Sequence, residues 1–81
     1  MRKRGIVEDK HGKRNALGPR LQELRKAAGL SQSKFVEKLQ LQAKWDCDKA
    51  VLASIENGRR SLTDLELLAI LKVLKLRWAD L

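Results

Sequence analysis

From Leu17 to Leu74 apolar residues recur at spacings of three and four, and glycine, serine, aspartate and threonine interrupt the run too often for any long helix. Leu17, Leu21, Leu24 and Ala28 give the first segment one apolar face. Order is expected to begin near Pro19, because proline suits a helix's first turn, where its missing amide would have had no partner. Gly29 can adopt the left-handed conformation that ends such a segment. Ser31 is a cap residue for a second helix from Gln32 to about Leu39, which buries Phe35, Val36 and Leu39. Gln40 to Cys47 breaks the pattern. A third helix is expected from an Asp48 cap to Glu56, closed by Asn57-Gly58, with Leu52 and Ile55 inside and Val51 partly exposed.

Thr63-Asp64-Leu65-Glu66 has the capping-box pattern, in which the cap hydroxyl and the glutamate serve each other's backbone amides. It opens a strongly apolar helix to about Leu74, for which Leu65, Leu68, Ala69, Leu71 and Val73 are the expected core. A short turn from Arg77 to Leu81 follows. No segment alternates as a strand would, and there is no internal repeat or low-complexity tract. The fold class is therefore all-α, a compact bundle of about five short helices.

Residues 1–15, MRKRGIVEDKHGKRN, are polar and basic, and read as a flexible arm ahead of a single domain at 16–81. The arm is either a solvated tail or a segment that follows phosphates or enters a DNA minor groove. The 81 residues carry 18 basic and 10 acidic side chains, a net charge of +8. The surplus divides evenly: six basic and two acidic groups lie in residues 1–15, twelve and eight in the remainder. Such an excess attracts polyanions, chiefly nucleic acid or anionic lipid surfaces.

No stretch approaches the roughly 18 apolar residues that span a membrane. No apolar segment of signal-peptide length follows the charged start, so a cytoplasmic location is expected. Cys47 and His11 are single, so no intrachain disulfide and no zinc-type cluster can form. His11 has no partner for general-base chemistry, and neither catalysis nor a cofactor is expected. Cys47 reads as a small buried apolar group, since Asp46 and Asp48 oppose the thiolate that redox sensing needs.

The order of the punctuation is more specific than the helix count. LRKAAGLSQ precedes the second helix, and SIENGRRSLTDLELLAIL joins the third to the fourth. In spacing and order these segments resemble the Cro and phage-repressor type of helix-turn-helix domain, the XRE family, over about four-fifths of the chain. The resemblance implies a lambda-repressor-like fold and binding to double-stranded DNA as a small prokaryotic or phage transcriptional regulator, most simply a repressor. It makes the helix from Asp48 the recognition helix, which enters the major groove.

By position, Lys49, Ala50 and Ser54 then face base edges. Gln32 resembles the family's phosphate-contacting glutamine at a helix N-terminus. Asn57, Arg59 and Arg60 fall in a second phosphate-contacting loop. Arg25 and Glu56 match an internal salt bridge.

Two departures qualify the resemblance. Gln32 to Ile55 spans 23 positions, about six more than the family's common form. The extra length falls around Gln42 to Cys47, and a subgroup of XRE-like regulators carries a similar turn with a tryptophan–aspartate pair. Lys44 and Trp45 could be pushed toward DNA, although a large aromatic there more often seals the core. Secondly, the outward face of the recognition helix offers Lys49, Ala50, Ala53 and Ser54, without the arginine, glutamine or asparagine that make two-bond base contacts. Discrimination from this helix is expected to be modest, and affinity to lean on phosphates. Lys49 opposes the macrodipole at its helix start, which favours a DNA role over one in stability.

A homodimer is expected from the paired half-sites of such regulators, with Leu74 to Leu81 as its interface. The rival is a protein-binding module, an antitoxin that neutralises a partner toxin and autoregulates its operon. RNA binding is the weaker alternative, since three aromatics give no stacking platform.

Overall fold

The computed structural model describes residues 14–81. His11 and the first thirteen residues of the arm expected at 1–15 lie outside the described residues. Four α-helices follow in order: α1 (Gly18–Ala27), α2 (Gln32–Gln42), α3 (Lys49–Glu56) and α4 (Asp64–Leu74). A single 3-10 turn at Trp78–Asp80 comes last, and among the described residues there is no strand. The fold is the all-α bundle the periodicity predicts.

Local chemistry accounts for the boundaries. Ser31 Oγ accepts from the Lys34 amide at 3.1 Å and Asp48 Oδ1 from the Val51 amide at 2.8 Å, each supplying a partner to an otherwise orphaned donor. At Thr63 the capping box is complete: its hydroxyl accepts from the Glu66 amide, and the Glu66 carboxylate accepts from the Thr63 amide, both at 3.1 Å. Gly29 closes α1 with φ at 75°, a region where a side chain would be strained.

One buried cluster unites Leu21 of α1, Phe35, Val36 and Leu39 of α2, Leu52 and Ile55 of α3, and Leu67, Ile70, Leu71 and Val73 of α4. Cys47 in the long turn belongs to it and is fully buried. Helix α3 packs on both α1 and α2, and α2 also packs on α4. Burying these side chains is the main stabilising force, about 1.5–3 kcal/mol for each large one.

Several expectations need correction. Helix α2 does not stop at Leu39 but continues to Gln42. Nothing in Gln40-Leu41-Gln42 breaks a helix, and the chain turns only where Lys44 takes a left-handed φ of 56°. In α4, Leu65 and Leu68 are 74% and 44% exposed, whereas Leu67 and Ile70 are buried. The helix is apolar around most of its girth, so spacing alone does not choose its inward face. Leu62 before the cap is half-buried against the core and Leu67 is buried, the two positions of a hydrophobic staple. Ala28 is exposed and Leu24 only half-buried, so α1 meets the core through Leu21, with Leu17 packed beside it. Order also begins before Pro19: Arg14 and Asn15, expected in the arm, are hydrogen-bonded to the folded domain.

Candidate nucleic-acid interface

Helices α2 and α3 with the six-residue turn between them (43–48) form the central unit of the bundle. Lys49 and Ala50, in the first turn of α3, are exposed, and Ser54 one turn further on is half-exposed. Asp48 fixes this helix start through its cap, so both side chains project from rigid backbone. After Glu56 the chain reverses at Gly58, whose φ is 79°. The amides of Arg59 and Arg60 then both donate to Ser54 O, at 2.9 and 3.2 Å, which folds the loop back along α3. Asp48, Ala50, Val51, Ser54, Arg59 and Arg60 thereby line one open hollow of about 320 Å³.

Of the residues assigned from the sequence, Ala50, Ser54, Arg59 and Arg60 line this hollow. Arg59 is exposed there, and Asn57 is exposed in the preceding turn. Arg60 has its guanidinium committed within the fold: Nη1 and Nη2 donate to Glu66 Oε1 and Oε2 at 2.8 and 2.9 Å. This two-bond pair holds the Glu66 carboxyl below its ordinary range, with backbone donation at Thr63 adding to the effect. Glu66 thus joins the capping box of α4 to the loop after α3.

Gln32 is turned inward, donating from Nε2 to Glu56 Oε1 at 3.1 Å. Glu56 is the centre of a buried network. Arg25 donates to it from Nε at 2.6 Å and from Nη2 at 3.1 Å, and Gln22 from Nε2 at 3.4 Å. Arg25 Nη1 also donates to Leu30 O at 2.7 Å. Arg25 therefore ties α1 to the α1–α2 turn and to the end of α3. No buried side-chain polar atom among the described residues lacks a partner.

Lys44 and Trp45 stand apart from the hollow at α3. Trp45 is half-buried against the core, and with Ala43, Lys44, Leu65, Glu66 and Ala69 lines a separate depression. Gln40 holds the long turn by donating from Nε2 to Cys47 O at 3.0 Å. Burial, with help from the Asp48 charge, pushes the Cys47 thiol up to about 11. Among the described residues no group of His, Cys, Asp and Glu side chains is arranged to hold a metal ion, and no helix is long and apolar enough to cross a membrane.

The sequence reading missed Asn15, Gln40 and the pairing role of Glu66. The capping-box pattern marked Glu66, but its second partner lies six positions upstream at no helical spacing. Asn15 carried a signal only in being three residues before the first helical amide.

Residues 16–80 match the family model of the helix-turn-helix domain, and the chain belongs to that family. No curated protein and no solved structure matches the chain. Helix-turn-helix domains are a DNA-binding class whose second helix docks in the major groove, so DNA is the partner that membership indicates.

Proposed function

We propose that the domain is a sequence-specific regulator of transcription of the XRE type, a repressor that binds double-stranded DNA with α3 in the major groove. The observation that carries this reading is the hollow shared by Ala50 and Ser54 of a capped helix and Arg59 of a folded-back loop, with Lys49 exposed at the start of the same helix. Lys49 suits guanine, Ala50 a thymine methyl, and Arg59 a phosphate. With Arg60 engaged by Glu66, Arg59 takes the larger share of phosphate contact in that loop. The action is binding alone, in the cytoplasm, without catalysis or cofactor.

A homodimer fits this role, since two modest half-sites multiply affinity. Trp78, 55% exposed, with Leu74, Leu76 and Leu81 half-buried beside it in sequence, supports the C-terminal segment as its interface. The exposed Leu65 and Leu68 favour a second reading, in which a partner protein such as a toxin covers this face of α4.

The test is a titration of duplex DNA from upstream of the chain's own gene, against a scrambled duplex, at two salt concentrations. Tight binding lost on scrambling is the expected result. Failure to bind either duplex at low salt would sink the DNA reading and put the protein partner first.

A further inference from the structure

The loop that carries Arg59 is held from outside by two residues ahead of α1, Arg14 and Asn15. The Arg14 amide donates to Gly58 O at 2.8 Å. Asn15 Nδ2 donates to Arg60 O at 2.9 Å and to Ile55 O at 3.0 Å. Its Oδ1 accepts from the Gly18 amide, the first of α1. Arg59 thus has the carbonyl on either side of it pinned by residues 14 and 15, while its own amide is held by Ser54 O at 2.9 Å. The approach is close: a β-carbon at Gly18 would collide with the carbonyl oxygens of Ile55 and Glu56. One side-chain amide therefore satisfies a carbonyl in the last turn of α3, fixes the following loop and joins both to the start of α1.

We propose that Asn15 is a positioning residue for DNA binding, holding the end of α3 and the Arg59 loop in the geometry that meets phosphate. This rests on the DNA-binding reading above. A loop freed from Asn15 would have to be ordered at the moment of binding, and that entropy would be taken from affinity.

The test uses the full chain with Asn15→Ser, Arg59→Ala and the double variant, titrated with a fluorescent duplex of scrambled sequence at several salt concentrations. Serine keeps a neutral acceptor for the Gly18 amide but is too short to reach both carbonyls. Asn15→Ala is measured alongside, and melting temperatures place every titration well below unfolding. Asn15→Ser is expected to weaken binding roughly three- to tenfold and, with Arg59 already removed, to cost little more. Its salt slope should fall toward that of Arg59→Ala, a loss of up to roughly 0.9 for one phosphate.

A purely structural role would lower the melting temperature yet leave affinity and slope at wild-type values. That result, or losses that multiply in the double variant, would overturn the inference alone. If serine and alanine both unfold the chain, exchange of the Asn15 side-chain amide protons in the wild type decides: slow exchange supports the latch, and fast exchange removes it. A wild-type chain that binds no duplex at low salt overturns the DNA reading and this inference together.

Discussion

Arg60 and Glu66 face each other across the start of α4 in two hydrogen bonds of 2.8 and 2.9 Å, so the loop that follows α3 is locked to the cap of the next helix. Arg60 keeps 37% of its side-chain exposure and Glu66 18%, so solvent screens the pair and its worth is about 1 kcal/mol or less. Folding lowers the Glu66 pKa from the ordinary 4.5. The stabilisation is therefore complete above the unfolded value and is lost as pH falls through the folded one. Glu66→Gln keeps the capping box, which glutamine also serves, but removes the charge. Its urea midpoint should lie below wild type at pH 7 and converge with it in acid; parallel curves down to pH 3 would contradict this.

The Arg25–Glu56 pair is a different case because both side chains are almost wholly buried. Arg25→Ala strands a carboxylate with only glutamine amides to face it and should cost about 3–5 kcal/mol in urea unfolding. Replacing both partners together, Arg25→Met with Glu56→Leu, should recover much of that loss. A double variant as unstable as the single one would show that the arginine's bond to Leu30 O, rather than the ion pair, carries the stability.

The inward face of α4 is tested by two leucines. Leu67→Ala opens space in the core and should cost about 2–5 kcal/mol, whereas Leu65→Ala, at an exposed position, should stay within about 0.5 kcal/mol. Equal losses in thermal unfolding would mean that the helix is rotated from the orientation described.

What could be read from the chain was what local chemistry decides. Ser31, Asp48 and Thr63 cap the helices they were expected to cap, because each interaction closes within three residues. The rotation of α4 was not legible, since leucines lie on nearly every side of it and only packing selects among them. The same limit hid the pairings across the loop. Arg60 reads as a solvent-facing phosphate ligand until the fold brings Glu66 opposite it. Gln32 reads as an outward helix-start residue until Glu56 draws its amide in. Residues assigned from family position were placed by backbone; their side-chain commitments depended on partners far along the chain.

Cys47 should be chemically silent in the folded state. It is fully buried and its thiol is pushed up to about 11, so little reactive thiolate exists at pH 8. Labelling by a disulfide reagent should be slow in buffer and immediate in denaturant. The raised pKa also contributes stability that is present below the unfolded value of 9.0 and disappears as pH rises from there to about 11. Cys47→Ala should therefore narrow its stability gap to wild type across that alkaline window. Rapid stoichiometric labelling in native buffer would mean that the long turn opens readily.

Lys49 at the start of α3 and Arg59 in the loop after it are both exposed but should fail in different ways. In the proposed binding mode Arg59 meets phosphate, which carries no sequence information, so Arg59→Ala should weaken specific and scrambled duplexes alike and lower the salt slope by roughly 0.9. Lys49 leads α3, the proposed recognition helix, and its loss should fall mainly on the preferred duplex, shrinking discrimination by about 1–3 kcal/mol if it meets a guanine edge. Removing a positive charge from the helix start also favours the macrodipole, so Lys49→Ala should melt no lower than wild type. A more stable protein with poorer discrimination would separate the binding role of Lys49 from any role in folding. If Lys49→Ala instead weakened both duplexes equally, Lys49 would join Arg59 among the phosphate contacts, and sequence preference would have to come from Ala50, Ser54 or the shape of the DNA.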